Sequence, residues 1–335
     1  MSHSMQKQEQ PNPLEQLSDA LDEDMRYTNA VIIDRMQSPV ELIPQLATYL
    51  IAAGGKRIRP LLTLAATQIY GGDMQSSHKL AASVEFIHTA TLLHDDVVDE
   101  SLERRGKEAA NLVFGNQASV LVGDFLFSRA FELMTECDNI QVLKILSNAA
   151  AIITQGEVLQ LTAAGKIDTS MEQYIEIITS KTAALFAAAC EVGPVLAGAD
   201  ESQAKSMYEY GLYLGIAFQI ADDALDYNSD RETLGKVIGD DFREGKITAP
   251  ILLALDKADD SEKEFWTRTL VKREQNDADL KTAQTILNKH DSIQGSLTLA
   301  QDYAAKAQQA LDNIPQSPLR ALLHELVPYT IFRKA

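Results

Sequence analysis

The chain has 335 residues, 45% of them hydrophobic, and sets 48 acidic against 30 basic side chains for a formal net charge of −18. The apolar content excludes wholesale disorder. The acidity argues against a nucleic-acid binder and against electrostatic docking on anionic lipid. Residues 1–13 are polar, lack an apolar signal core and end on Pro11 and Pro13; they read as a disordered tail on a cytoplasmic protein. From 14 to 335 helical periodicity dominates. Breaks fall at Gly54-Gly55, Gly71-Gly72, Arg105-Gly106, Asp138-Asn139, Gly165, Gly198, 228–230, Gly239, Asp259-Asp260 and Pro315. Period-2 alternation is scarce, and no uninterrupted apolar run reaches the roughly 18 residues of a membrane span. Cys137 and Cys190 lie far apart and outside any CxxC, so neither a disulfide framework nor a zinc site is expected. The pattern predicts one all-α domain, a single large helical bundle. The charged, weakly patterned stretch 256–318 is expected at its periphery.

Chemistry-bearing groups recur along this frame. Lys56, Arg57 and Arg59 follow Gly54-Gly55; glycine permits close backbone approach and arginine can grip a phosphate bidentately. Alone, such a turn reads equally well as a solvated basic loop. Glu85 and His88 have the ExxH spacing of di-iron bundles, but no second ExxH exists. Asp95-Asp96-Val97-Val98-Asp99 is a DDxxD whose outer carboxylates lie about 40° apart on one helical face. Such i,i+4 like charges cost a few tenths of a kcal/mol, and apolar surroundings raise the cost. A cation would compensate, and hard oxygen donors suit Mg²⁺. A lone DDxxD is as easily a solvated helix end, but Asp222-Asp223-Ala224-Leu225-Asp226 repeats it. Val84, His88, Thr91, Asp95 and Asp99 share a face; Gly211, Gly215, Phe218, Asp222 and Asp226 repeat the offsets, with Gln219 on the flank. The glycines imply close helix packing or an open cavity. Further cations stand at Arg104, Arg105, Lys107, Lys181 and Lys246. Together these describe two polyphosphate grips, one through metal and one through direct cationic contacts.

In order and spacing, the motifs GGKRIRP (54–60), LLHDDVVDESLERRG (92–106), QGEVLQL (155–161), KTAALF (181–186), FQIADDALDY (218–227) and GDDFREGKITAP (239–250) resemble the trans-isoprenyl diphosphate synthases, or polyprenyl synthetases. The resemblance runs from about residue 20 to the end and is strongest to bacterial long-chain members that make a quinone (ubiquinone or menaquinone) side chain. It implies a bundle around a deep central cavity, in a homodimer. It implies two or three Mg²⁺ ions with a bound diphosphate, ligated by Asp95, Asp99 and Asp222, with Asp96, Asp223 and Asp226 as further ligands or their supports. It implies that Arg104, Lys181, Thr182, Gln219 and Lys236 hold an allylic diphosphate, expected to be farnesyl diphosphate. Lys56, Arg59, His88 and Arg105 would hold isopentenyl diphosphate, and Arg57 belongs to the same signature. Short-chain members carry bulky residues four and five positions before the first DDxxD, where this chain has Thr91 and Ala90. A product of about C40 is therefore expected, with the tunnel floor deeper, at Phe131 or Met134. C45–C50 products remain open. A class I terpene cyclase would need only one DDxxD and no second diphosphate grip. A non-catalytic subunit would usually show eroded aspartate motifs.

Overall fold

The computed structural model describes residues 11–52, 54–104, 106–227 and 238–332. In chain order the elements are α1 (Pro13–Ala20), α2 (Asp22–Arg35), α3 (Leu42–Ala52), α4 (Ile58–Ile69) and α5 (Met74–Val98). A two-stranded ribbon follows, β1 (Glu103–Arg104) against β2 (Lys107–Glu108), antiparallel about Gly106 at φ +76°. Then come α6 (Ala110–Phe114), α7 (Asn116–Thr135), α8 (Ile140–Ala163) and α9 (Met171–Ile178). A π-helical turn, Thr179–Ala183, joins α9 to α10 (Ala184–Leu196), which leads to α11 (Glu201–Leu225). The last elements are α12 (Asp240–Arg243), α13 (Ala249–Leu255), α14 (Asp260–Trp266), α15 (Asp279–Lys289), α16 (Ser292–Ala310) and α17 (Pro318–Phe332). The all-α expectation holds.

Helix α10 is the axis of the bundle. Its run Ala184-Leu185-Phe186-Ala187-Ala188-Ala189-Cys190 is buried throughout, as a helix apolar on every side must be. One side, through Leu185, Ala188 and Val192, belongs to the core shared by α2, α3, α5, α7 and α8. The other, through Phe186 and Cys190, joins the core of α1, α4, α11, α16 and α17. Close approach of α11 to α10 depends on two glycines. A Cβ at Gly211 would meet the Phe186 carbonyl and the Ala187 Cα, the latter at 2.8 Å; one at Gly215 would meet the Ala183 Cα at 2.6 Å. Close packing, not an open cavity, is therefore what these glycines provide.

Two expectations need correction. Asn12 caps α1 in a reciprocal capping box with Glu15, so helical order starts at Pro13, inside the stretch read as tail. Residues 256–318 are not wholly peripheral: Ser296, Ala300, Ala304 and Ala307 of α16 are buried against α11 in the main core. Small side chains let those helices approach, but they give a weak hydrophobic signal. Phe131 is 39% exposed on α7, whereas Met134 is fully buried. Ala130, Leu133 and Met134 belong to the core that α7 shares with α5, and Phe131 lies about 100° further round from Ala130. Neither residue lines the cavity at the aspartate motifs.

Helix α8 is long and apolar enough, by length and composition alone, to cross a membrane. Its Val142, Leu146, Ala149 and Ile153 are buried in the bundle core.

Gly211→Ala tests the central packing. Alanine favours a helix by about 1 kcal/mol, but overpacking against the α10 backbone costs about 1–3 kcal/mol. The urea midpoint should fall, and an unchanged or higher midpoint would contradict the packing.

Candidate active site

Helices α5 and α11 bring the two aspartate motifs to their C-terminal ends, where α10 lies between them. Asp99 is the C-cap of α5 and Asp226 that of α11. A carboxylate there faces the negative end of a helix dipole, so each motif is a place where negative charge accumulates. The π-helical turn Thr179–Ala183 carries Lys181 and Thr182 between them. It can lie there because α8 has Gly156 opposite: a Cβ would meet the Lys181 backbone nitrogen at 2.8 Å.

Lys181 Nζ donates to Glu157 Oε2 at 2.8 Å and lies 3.7 Å from Asp95 Oδ2. The next side chain turns to the other motif. Thr182 Oγ1 donates to Gln219 Oε1 at 2.9 Å, and Gln219 Nε2 donates to Asp223 Oδ1 at 2.7 Å. The buried Tyr174 hydroxyl donates to the second oxygen of Asp223 at 2.6 Å. One turn of π-helix thus connects both aspartate motifs. Lys246 ties the first motif to the 239–250 segment: its Nζ is 3.5 Å from Asp99 Oδ2 and pairs with Glu244.

Burial dominates the electrostatics. It pushes the Asp95 carboxyl up to about 6 against the opposing pull of Lys181, and Asp223 up to about 7 against its hydrogen bonds from Tyr174 and Gln219. Asp226 is also raised by burial, although it accepts backbone N–H groups from Asp241 at 3.1 Å and Gly239 at 3.2 Å. Asp241 is raised well above the carboxylate range by burial and by Asp223 and Asp226. Burial alone would lower Lys246, but Asp241, Glu244 and Asp99 outweigh it and raise it. A cavity of about 380 Å³ opens here, lined by Val98, Asp99, Leu161, Ile177, Lys181, Thr182, Gln219, Asp223 and Lys246 among others.

The first motif presents two stripes on α5. His88, Asp95 and Asp99 form one. Glu85, Thr89, Leu92 and Asp96 form the other, about 60° round the helix. They line a separate recess of about 40 Å³ with Arg57 and Arg104. Arg104 Nε donates to Asp96 Oδ1 at 2.8 Å, and Arg57 Nη1 donates to Glu85 Oε1 at 2.5 Å. Arg57 and Arg104, both expected to touch diphosphate, are therefore ion-paired to α5 and line this recess. Arg59 lies over the Phe186 ring at 4.3 Å, and Phe186 packs on Phe218, one turn before Asp222. Lys56 is exposed, His88 and Asp222 are half-buried. Ala90 is buried against the α7 face, and Thr91 Oγ1 donates to the His88 carbonyl. Arg105 and Lys236 lie outside the described residues.

Glu157, Tyr174 and a specific role for Lys246 escaped the sequence reading. Glu157 stands within QGEVLQL, and Lys246 within a motif already singled out, so position alone could have flagged both. Tyr174 meets Asp223 across 49 residues, which no local spacing can signal.

A sequence profile of the polyprenyl synthetase family matches residues 40–287. The chain is 43% identical over 320 residues to octaprenyl diphosphate synthase of Escherichia coli (strain K12), covering 96% of this chain and 99% of that one. Among solved structures, a decaprenyl diphosphate synthase from Rhodobacter capsulatus aligns with TM-score 0.91 at 49% identity, over 95% of this chain and 98% of that one. A polyprenyl synthase from Caulobacter crescentus CB15, complexed with calcium and isoprenyl diphosphate, aligns with TM-score 0.93 at 51% identity, over 98% and 100%. By profile, sequence and fold, the chain belongs to the polyprenyl synthetase family.

Proposed function

We propose that the protein is a long-chain trans-polyprenyl diphosphate synthase. It would condense isopentenyl diphosphate head-to-tail onto an allylic diphosphate, farnesyl diphosphate being the preferred primer, to a product of about C40. The single observation that carries this reading is the pair of complete aspartate motifs joined by Lys181 and Thr182, with Asp99 and Asp223 lining one cavity. The family and the names of the relatives, octaprenyl and decaprenyl synthases, favour a long product over a short one. A homodimer is part of the same reading.

The donor set fits Mg²⁺. Asp95, Asp99 and Asp222 offer hard oxygen atoms, and the burial that raises Asp95 is what a bound cation would offset. Among the described residues no three acidic or metal-ligating side chains converge into a site of their own. That suits an ion that takes one or two carboxylates and completes its shell with water and diphosphate oxygens. When bound, Mg²⁺ would neutralise charge developing on the leaving diphosphate. Lys181 and Lys246 would add fixed positive charge beside it. The allylic C–O bond breaks, the double bond of isopentenyl diphosphate attacks the allylic cation, and a proton leaves to the departing diphosphate. Apolar cavity walls such as Ile177, Ile178 and Ile247 would keep water from the cation. Small residues at Ala90 and Thr91 would let the chain extend toward Met134.

Asp95→Ala or Asp222→Ala should abolish Mg²⁺-dependent condensation; near-normal turnover in both would remove the metal role. Thr91→Phe should shorten the product toward C15–C25, and an unchanged chain-length distribution would defeat the tunnel assignment. A pH test follows from burial. The folded state holds Asp95 and Asp223 at about 6 and about 7, above their ordinary range. Their contribution to stability is complete below the unfolded-chain pKa and is lost as pH rises through 6 to 7. Mg²⁺ competes with those protons, so it should raise the melting temperature more at about pH 7.5 than at about pH 5.5. An equal rise at both would contradict the site.

A further inference from the structure

We propose that Glu85 is a positioning residue for isopentenyl diphosphate binding, acting through Arg57, which holds the 54–59 loop and does not itself grip substrate. This rests on the assignment of Lys56 and Arg59 to that substrate.

Three observations converge. Glu85 lies within α5 with its side chain 9% exposed, in a recess walled by Ile32, Met36, Leu50 and Phe86 that it shares with the Asp96–Arg104 pair, and does not line the main cavity. A carboxylate in such surroundings needs a cationic partner. Arg57 supplies it at 2.5 Å, reaching across 28 residues. Second, Arg57 has a left-handed backbone, φ +49° and ψ +31°, at the N-cap of α4. That conformation is uncommon for a side chain other than glycine and costs free energy, which contacts around it must offset. The Glu85 pair is such a contact, and it fixes the turn at which the chain enters α4. Third, the two cations flanking this turn are placed differently from Arg57. Lys56 is exposed, and Arg59, within the first turn of α4, rests on Phe186 beside the second-motif helix. One ion pair thus anchors the middle cation of the turn to α5. The same arrangement recurs at Asp96 and Arg104, where another buried carboxylate on that stripe holds the other cationic loop.

The test is a double-mutant cycle on the full-length enzyme, with steady-state kinetics for each substrate. Glu85→Gln keeps the shape and removes the charge. It should raise KM for isopentenyl diphosphate about tenfold and leave KM for farnesyl diphosphate and kcat within about twofold. Arg57→Gln should do the same, and the double variant should be no worse than the poorer single one. Multiplying effects would show that Arg57 touches substrate on its own and would overturn the proposal. So would an unchanged KM in Glu85→Gln. Equal losses for both substrates would mark Glu85 as merely structural and would also overturn it. If Glu85→Gln does not fold, Arg57→Gly and Arg57→Gln decide. Glycine keeps the left-handed turn without strain, so the proposal expects the smaller KM rise from Arg57→Gly, whereas equal rises identify direct contact. Failure of the wild type to condense the two substrates would instead sink the functional assignment beneath this one.

Discussion

Carboxylates at the buried ends of two helices are the constraint on which the rest of this structure depends. Each motif sets like charges one turn apart, at a helix C-terminus and against apolar neighbours, and every one of those features disfavours ionisation. Lys181 lies against Asp95 and Lys246 against Asp99. Asp95 and Asp223 nonetheless stay well above their ordinary range. Such a site accepts more positive charge, and in the proposed function a divalent cation would bring a diphosphate with it. The overall charge of −18 is therefore no obstacle to anionic substrates, because the cations that matter are local.

The fold supplies that locality through backbone approach. An all-apolar α10 can be buried on every side, so α5 and α11 flank it and end near one another. Glycines at 211 and 215 bring α11 against α10, and Gly156 makes room for the π-helical turn that carries Lys181 and Thr182. The π turn is an irregularity at a working position, as such turns often are. It aims successive side chains at different motifs. Helix α5 is used on two stripes: one sets Asp95 and Asp99 beside Lys181 and Lys246, the other fastens arginines from two loops.

What could be read without coordinates were the features carried by local spacing. The i,i+4 aspartates, the GGKRIRP turn and the apolar periodicity each announce themselves within a few residues, and together they yielded the all-α bundle and the acidic centre. Pairings across the chain could not be read. Arg57 with Glu85, Tyr174 with Asp223 and Lys246 with Asp99 depend on tertiary placement, so Arg57 reads as a substrate grip until its partner is seen. The alanine seam of α16 was missed because close packing of small side chains leaves little hydrophobic contrast. The exposure of Phe131 could not be read either, because size alone does not say which face of α7 a residue occupies. Asn12 shows the opposite case, a capping signal three residues from Glu15 that was legible and lay within a stretch dismissed as tail.

The most direct measurement supplies the purified chain, with no partner protein, with farnesyl diphosphate, labelled isopentenyl diphosphate and Mg²⁺, and sizes the products. The account predicts a ladder of linear prenyl diphosphates that accumulates at about C40 and disappears when the divalent cation is chelated. Cyclic hydrocarbon, or no extension until a second protein is added, would contradict it.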